Sequence, residues 1–283
     1  MRRSLVTLST VAQAGNLCSC SAVTEAGLFA RVALDHCNSL VVSGTPRLGS
    51  TDMDEQKVLI VGSSDGIGLA AARRLAGRGW QVSGISRSPS PLVDQRYRHF
   101  IADVSSAEYP ELVRTVVRER GPFEACIYCA GIGGPFHVAH IENDEHVFAV
   151  NLTGALRTAR ELLPPMVAAG RGHLIVLSSQ ADELTLTHAP SYSASKAAMS
   201  AYFEGIGLVL RPRGVAVTNL RFGFVDTKMA RAKYKPFCMT VDKAAHIVER
   251  CLVTRPLRCT RPLRMAVLVS VLRWLGRWRV RLV

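Results

Sequence analysis

The sequence lacks a long hydrophobic run: no stretch reaches the roughly 20 apolar residues that a membrane-spanning helix needs. Of the nearest candidates, residues 4–24 are diluted by Ser, Thr, Gln and Asn, and residues 265–272 are too few. A disordered chain is excluded as well, because 48% of the residues are hydrophobic and only 20% are charged. We therefore expect a globular protein that does not span a membrane.

Acidic residues are missing from the C-terminal end. Residues 250–283 contain nine arginines and no Asp or Glu, whereas residues 51–249 contain 22 basic and 20 acidic side chains. Most of the net charge of +13 thus comes from the last residues rather than from the body of the chain. Because a near-neutral body is not a surface that follows a phosphate backbone, we expect no nucleic-acid partner.

A disulfide pattern is missing too, although the chain contains eight cysteines. Cys126 and Cys129 flank an apolar run that is typical of a strand, in which residues three apart point to opposite faces. A redox pair would need both sulfur atoms together near a helix start. We therefore expect reduced, packed thiols and a cytoplasmic location.

The first 52 residues lack the periodicity of the rest of the chain. They are poor in acids and rich in Ser, Thr, Ala and Val, which favours an N-terminal extension outside the fold. An organelle transit peptide and a secretory signal are the alternatives. The predicted organisation is an extension at 1–52, one folded domain at 53–255 and a basic amphipathic tail at 256–283.

From Lys57 onward, short apolar runs alternate with longer helical segments. The predicted strands are 58–61, 81–85, 98–102, 125–128, 174–177 and 215–220, and the predicted helices are 69–76, 111–119, 152–167 and 193–210. Because such alternation is typical of parallel pairing with helices on both faces, the fold class is α/β. We predict a doubly wound, Rossmann-type parallel sheet in a single domain.

The first strand is followed by a turn with Gly62, Gly66 and Gly68. Glycine permits a tight turn and lets backbone amides approach a pyrophosphate at a helix N-terminus. The residues from Gly62 to Gly66 also fit the G-x-S-x-G pattern of a hydrolase with Ser64 as nucleophile. We disfavour the hydrolase because little sheet precedes this turn and the third glycine has no role in such an enzyme.

Tyr192 and Lys196 are four residues apart in a predicted helix, which places both side chains on one face. A free tyrosine has a pKa of about 10 and transfers protons poorly at neutral pH unless a cation favours the phenolate. Lys196 supplies a cation one turn away. The pair is therefore a candidate acid–base site.

The chain resembles the short-chain dehydrogenase/reductase family over residues 57–230. The resemblance lies in the order and spacing of the glycine turn, Asn151, Ser179, Tyr192 and Lys196. Ser179 ends a strand 13 residues before Tyr192, as the family's catalytic serine does. The resemblance implies an oxidoreductase with catalytic residues Asn151, Ser179, Tyr192 and Lys196. It also implies a set of cofactor-binding positions: Gly62, Ser64, Gly66, Ile67, Gly68, Arg87, Asp103, Val104, Ala130, Gly131, Asn151, Tyr192, Lys196, Val225 and Thr227.

The resemblance implies a role for each catalytic residue. Tyr192 exchanges a proton with the substrate oxygen, and Ser179 hydrogen-bonds that oxygen. Lys196 holds the nicotinamide ribose and lowers the pKa of Tyr192, while Asn151 fixes a water molecule.

The chain also departs from the family pattern. Val61, Cys129 and Phe222 replace residues that brace the cofactor site in the family. The family's closing strand also has no counterpart in the sequence pattern, which leaves tetramer assembly in doubt.

The end of the second predicted strand suggests which nicotinamide cofactor binds. An acid that would hold the ribose 2′-hydroxyl is missing there, and Arg87 stands in a position to pair with a 2′-phosphate. Asp65 argues the other way, because NADP-binding relatives often carry a basic residue at that place. We expect NADP, with NAD as the alternative.

The tail contains Arg273, Arg277 and Arg281 at every fourth position, with Trp274 and Trp278 on a neighbouring face if the segment is helical. We favour a helix that docks on its own domain or on a partner subunit, because the segment is short and strongly apolar. The alternative is a helix that lies in the plane of a membrane surface as a peripheral contact.

The expected substrate is a small carbonyl or alcohol compound, apolar apart from one carbonyl, bound between residues 132–146 and 228–239. His137 and His140 have no evident third partner, so no metal site is predicted. The family resemblance also leads us to expect a homo-oligomer. A regulatory module that binds the dinucleotide without catalysis is the alternative to an enzyme.

Overall fold

The computed structural model describes residues 56–230 and 234–280, with side chains as far as 275. The predicted extension at 1–52 and the position of Arg281 therefore lie outside the described residues. Seven strands are present in this part of the chain: β1 Lys57–Val61, β2 Gln81–Ser86, β3 Tyr97–Ile101, β4 Ala125–Tyr128, β5 Gly172–Ser179, β6 Val215–Phe222 and β7 Arg258–Arg261. The helices are α1 Gly66–Ala76, α2 Tyr109–Arg120, α3 Glu142–Phe148, α4 Gly154–Ala168, α5 Pro190–Leu210, α6 Val241–Thr254 and α7 Leu263–Val280.

The strands form one parallel sheet in the order β3-β2-β1-β4-β5-β6-β7. Strand β4 is buried along its whole length and β1 nearly so, because helices cover both faces of the sheet. Leu59 belongs to the apolar cluster on one face and Ile60 to the cluster on the other. The predicted doubly wound α/β fold is confirmed, and the order of the strands reverses between β1 and β4.

The closing strand is where the sequence-based expectation was wrong. Strand β7, Arg258–Arg261, pairs in parallel with the end of β6 at the edge of the sheet. Its four residues include two arginines and a threonine and are only partly buried, so they carry no apolar signal. Charged side chains are common on edge strands, where they discourage pairing with another chain. The residues predicted as a tail thus begin with a strand of the sheet.

The cysteines and the helices of the described residues agree with the expectations from composition. Cys126 and Cys129 pack on opposite faces of the sheet, and the five cysteines in the described part of the chain are free thiols. Among the described helices, none is long and apolar enough to cross a bilayer.

Candidate active site

The glycine turn lies where β1 ends and α1 begins, at the reversal of strand order. Gly62 and Gly66 have φ angles of +87° and +53°, which favour glycine. A Cβ on Gly62 would lie 2.6 Å from the backbone nitrogen of Ala130, and one on Gly68 would lie 2.0 Å from the carbonyl oxygen of Gly62. All three glycines are therefore required by the backbone, and the third keeps α1 close to the strand.

Asp65 and the segment after β6 meet at this turn. The Asp65 carboxylate caps α1 by accepting a hydrogen bond from Gly66 N at 2.7 Å, and it pairs with Lys228 Nζ at 3.0 Å. The hydrogen bonds from Lys228 and Gly66 lower the pKa of Asp65. The Cγ2 of Thr227 lies 3.4 Å from the position of a Cβ on Gly66. The fold thus brings Thr227 to the turn, together with the cation Lys228, which sequence reasoning missed.

Arg87 and Asp103 lie beside each other after the ends of β2 and β3. Their side chains form an ion pair at 4.0 Å, and the Arg87 side chain is 57% exposed. Burial acts to raise the pKa of Asp103, but hydrogen bonds from the side chain and backbone of Ser105 outweigh it and the pKa is lowered. Because the Arg87 pair is long and exposed, the guanidinium can turn toward another anion.

A series of hydrogen-bonded polar side chains links the glycine turn to the loop of Arg87, and the sequence did not reveal it. Ser63 Oγ lies 2.9 Å from the hydroxyl of Tyr97, which lies 2.9 Å from Nδ1 of His99. The other ring nitrogen of His99 lies 3.1 Å from the carbonyl oxygen of Ser88. The contacts connect the glycine turn to the loop that carries Arg87. They depend on residues up to 36 positions apart (Ser63 and His99), so no local pattern reveals them.

The acid–base residues lie next to the glycine turn, at the carboxyl end of β5. Tyr192 and Lys196 are on the first turns of α5, and the hydroxyl of Ser179 is near enough to Tyr192 to act on the pKa of its phenol. Lys196 Nζ lies 6.0 Å from the centre of the Tyr192 ring and donates to the carbonyl of Leu177 at 2.7 Å. The fold therefore brings together three residues that the sequence separates by up to 17 positions (Ser179 to Lys196).

The pKa of Tyr192 departs from its ordinary value in the direction opposite to our expectation. Burial raises the pKa of Tyr192, the hydrogen bond with Ser179 acts to lower it, and the nearby Asp182 carboxylate raises it further. Burial also lowers the pKa of Lys196 to about 8. The phenol of Tyr192 therefore keeps its proton at neutral pH.

Asn151 occupies the single π-helical turn of the described residues, Ala149–Thr153. Its amide accepts from Ile132 N at 2.8 Å and donates to Ile132 O and to Ser195 Oγ, both at 2.9 Å. A Cβ on Gly131 would lie 3.3 Å from Asn151 Oδ1 and 3.5 Å from Lys196 Nζ. Asn151 thus holds the turn after β4 against helix α5.

The remaining predicted positions divide into two groups. Ile67 lies in the first turn of α1, Ser64 lies in the turn just before it, and Ala130 lies against Gly62. The other group, Val104 and Val225, is nearly fully buried. Among the described residues, no hydrogen bond joins Ser64 to a histidine, so the arrangement of a hydrolase triad is not formed.

Both segments predicted to border the substrate reach the site. A Cβ on Gly133 would lie 2.9 Å from the Tyr192 ring, and Met229 Cε lies 3.9 Å from the corresponding position on Gly131. The segment after β4 is also tied to the chain before Tyr192, because Phe136 N donates to His188 O at 2.9 Å. The closeness of Gly133 to Tyr192 was not predicted.

The residues present fit a dinucleotide. Side chains are excluded from the glycine turn by its backbone, so a phosphate can approach the amides at the start of α1, where the helix dipole favours an anion. The turn lies at the reversal of strand order, where open α/β sheets bind their ligands. Fold and site together define a dinucleotide-dependent enzyme of the doubly wound α/β class.

Comparison with known proteins gives the family. The family model for short chain dehydrogenases matches residues 56–236, and the chain belongs to the short-chain dehydrogenase/reductase family. It is therefore an oxidoreductase of a family that uses NAD or NADP.

Three relatives illustrate the similarity. An uncharacterized oxidoreductase of Myxococcus xanthus is 30% identical over 76% of this chain and 91% of its own length. A 3-ketodihydrosphingosine reductase of Bacteroides thetaiotaomicron is 32% identical over 62% of this chain and 66% of its own length. The crystal structure of a short-chain dehydrogenase from Streptomyces avermitilis has a TM-score of 0.68 at 22% identity and covers 80% of this chain and 97% of that one. The likeness in structure supports the fold.

Proposed function

We propose that the protein reduces a ketone or aldehyde with NADPH, with Tyr192 as the proton donor. The observation that carries this proposal is the group at the end of β5, in which Ser179 is near enough to Tyr192 to act on the pKa of its phenol and Lys196 Nζ lies 6.0 Å from the ring. At neutral pH Tyr192 holds its proton, as the proton donor in the reduction of a carbonyl must.

Each residue has one task in this reaction. Tyr192 donates the proton, and Ser179 donates a hydrogen bond to the oxygen on which charge develops. Lys196 binds the nicotinamide ribose, and Asn151 keeps the turn at Gly131 in place beside Lys196. A bound nicotinamide would supply the hydride to the carbonyl carbon.

NADP is the preferred cofactor because Arg87 is the exposed cation at the end of β2. Its ion pair with Asp103 is long, at 4.0 Å, and a 2′-phosphate would be a stronger partner. Lys228 pairs with Asp65 and thereby offsets the negative charge that argued against NADP. NAD remains the alternative.

The substrate class follows from the two segments at the site and from one relative. Gly133 and Met229 present apolar surface near Tyr192 and Gly131. The relative from Bacteroides is named as the reductase of a 3-keto compound, and we carry over the reduction of a keto group rather than the particular substrate. We expect an apolar small molecule with one carbonyl group.

The experiment is NADPH oxidation with a panel of apolar ketones and aldehydes. Tyr192→Phe should lower kcat by about 10²–10⁴-fold, because it removes the proton donor and leaves the ring in place. Tyr202→Phe is the matched control, since Tyr202 lies on the same helix and is 46% exposed. Tight NADPH binding without turnover of any carbonyl would favour the regulatory module instead, and equal activity of both variants would refute the role of Tyr192.

We further propose that α7 makes a peripheral contact with an anionic membrane. One face of this helix docks on the domain, where Val269 is buried, Met265 packs at Gly223 and Arg273 pairs with Glu183 at 3.3 Å. The opposite face presents a row of exposed apolar side chains: Leu263, Val267, Val271, Trp274 and Leu275.

The positive charge of residues 250–283 indicates which partner the exposed face of α7 contacts. Residues 250–283 contain nine arginines and no acid, and even after Arg258 pairs with Glu204 and Arg273 with Glu183 this segment keeps an excess of positive charge, which attracts anionic lipids at about 1 kcal/mol per basic residue near the surface. The two predicted modes of the tail, docking and membrane contact, are thus compatible. A homo-oligomer through another surface stays a prediction.

Co-sedimentation with vesicles tests this contact. Binding is expected to vesicles of phosphatidylcholine with phosphatidylserine but not to phosphatidylcholine alone, and Val267→Asp with Val271→Asp should abolish it. Val93→Asp is the control, because Val93 is 97% exposed and lies elsewhere on the surface. If the doubly substituted variant binds the anionic vesicles as well as the wild type does, or if it loses only dimerisation, the proposal of a membrane contact is wrong.

A further inference from the structure

The carboxylate of Asp182 is buried three residues after Ser179, on the 3-10 turn Gln180–Glu183. Its side chain is 4% exposed and accepts a hydrogen bond from Arg221 Nε at 2.7 Å. Arg221 comes from β6, and its side chain is 6% exposed. Burying two charges is costly, so a pair of this kind indicates a role beyond stability.

A second set of hydrogen bonds connects Asp182 to the acid–base residues. Ser200 Oγ donates to Asp182 at 2.5 Å and lies 2.8 Å from Ser178 Oγ. Ser178 Oγ also lies 3.0 Å from the backbone carbonyl of Lys196, and its single hydrogen is donated either to this carbonyl or to Ser200. Asp182 is therefore hydrogen-bonded directly to α5 through Ser200, and Ser200 is in contact with Ser178 at the end of β5.

The turn that carries Asp182 is fixed from the C-terminal side as well. Gln180 Nε2 donates to the carbonyl of Arg261 at 2.8 Å, and Glu183 accepts from Arg221 and pairs with Arg273 of α7. Because these contacts come from β6, β7 and α7, the turn after Ser179 is held on several sides. The carboxylate of Asp182 is near enough to Tyr192 and Lys196 to act on the pKa of both, and in each case its negative charge acts to raise the pKa. For Lys196 the effect of burial is larger, so its pKa is still lowered.

We propose that Asp182 is a positioning residue, which fixes the end of β5 against α5 and places a negative charge beside Tyr192 and Lys196. The inference rests on the proposed function, because its effect on catalysis passes through those two residues. Ser179 and Tyr192 stay close to each other only if β5 and α5 keep their register, and the hydrogen bond from Ser200 of α5 to Asp182, together with the contact between Ser200 and Ser178 of β5, provides that constraint. The charged or titratable groups that surround this network are Cys129, Glu183, Glu204, Arg221, Arg258 and Arg273.

Asp182→Asn keeps the size of the side chain and removes its charge. We expect kcat to fall about tenfold with little change in KM, and the alkaline limb of the kcat profile to move to lower pH by at least about half a unit. The sign follows from the charge: a carboxylate raises the pKa of a neighbouring phenol or ammonium, so its loss lowers both.

Two further variants separate the positioning effect of Asp182 from the effect of its charge. Ser200→Ala interrupts the connection to Ser178 and leaves the Asp182 charge, so kcat should fall while the pH profile keeps its shape. Glu249→Gln is the matched control: Glu249 also pairs with an arginine, Arg74, but it lies outside the turn of Asp182 and does not contribute to the pKa of Tyr192 or Lys196, so neither quantity should change.

An ultraviolet titration of the Tyr192 phenol, taken as wild type minus Tyr192→Phe, gives a readout that needs no substrate. Its midpoint should fall in the Asp182→Asn background. An unchanged midpoint, or an equal fall in Glu249→Gln, would overturn the electrostatic part, and a wild-type kcat in Ser200→Ala would overturn the positioning part. A lowered midpoint in a protein that reduces no carbonyl would instead count against the proposed function alone.

Discussion

Strand β5 carries buried polar side chains at both ends, and the two ends are organised differently. At the carboxyl end, Ser178 and Ser179 belong to a network that reaches Tyr192, Lys196 and Asp182. At the amino end, Nε2 of His173 lies 2.8 Å from the hydroxyl of Thr218, and Nδ1 of the same ring has no hydrogen-bond partner among the described residues. One end thus has several mutually bonded groups and the other has one incompletely bonded side chain.

The difference teaches how to interpret a buried polar residue in this fold. The carboxyl ends of the strands open toward the loops and helix N-termini that bind ligands, so polar groups there can act on a substrate. The amino end of β5 lies at the opposite edge of the sheet from the glycine turn. Substitution at the carboxyl end should therefore alter activity, whereas substitution at the amino end should alter stability.

Lys196→Met should give the largest effect at the carboxyl end. Methionine has a similar length and no charge, so kcat should fall by at least about 10²-fold, since the ribose contact and the cation near Tyr192 are lost. The free energy of unfolding should stay unchanged or rise, because a buried ammonium with one carbonyl partner is replaced by an apolar group. Kinetics and a chemical denaturation curve measure the two quantities, and a marked loss of stability would contradict the division between the ends of β5.

His173 should make the protein sensitive to acid at the amino end. Burial, together with the charge of Arg255, lowers the pKa of His173 from 6.5 to about 3. Below about pH 6.5 the unfolded chain binds a proton that the folded chain does not, so stability falls as the pH drops toward 3. The contribution at full effect is about 4–5 kcal/mol, at about 1.4 kcal/mol per pH unit.

His173→Gln should remove this loss and leave kcat unchanged. The measurement is the difference in unfolding free energy between wild type and variant across acid pH, which cancels the titration of the carboxyl groups common to both. If the two proteins lose stability in parallel, His173 is not the source of the acid sensitivity.

Gly68→Ala should have a smaller effect, on both stability and binding. The added Cβ would lie 2.0 Å from the carbonyl oxygen of Gly62, so the turn must shift, at a cost of about 1–3 kcal/mol. NADPH affinity should fall because the same backbone approaches the pyrophosphate. Gly134→Ala is the control, since a Cβ there meets nothing within 4 Å. An unchanged melting temperature and NADPH affinity in Gly68→Ala would show that the turn adjusts without cost.

The sequence was sufficient to predict strands β1 to β6 of the sheet but not the edge strand β7. Strand β4 and the central residues of β1 and β5 (58–61 and 174–177) are continuous apolar runs because they are buried on both faces, and such runs are detectable in one dimension. Strand β7 was missed because it is half exposed and consists mostly of polar residues, stabilised through its pairing with β6.

At the site, the sequence located the residues that have a fixed spacing and missed those that depend on the fold. Tyr192 and Lys196 are one helical turn apart, so their spacing alone indicates a shared face. Asp182 and Arg221 pair across 39 residues. The direction of the Tyr192 pKa shift was also missed, because it depends mainly on burial, which the spacing from Lys196 does not reveal.

Arg87→Ser should give the smallest effect and tests the cofactor half of the site. Removal of the guanidinium should raise KM for NADPH by about tenfold and leave KM for NADH nearly unchanged, since a charge-assisted contact to an exposed phosphate is worth about 1.5 kcal/mol. Arg96→Ser is a control elsewhere on the surface, and the ratio of the two KM values is the measurement. A parallel change for both cofactors would mean that Arg87 supports the loop through its ion pair with Asp103 rather than selecting the 2′-phosphate.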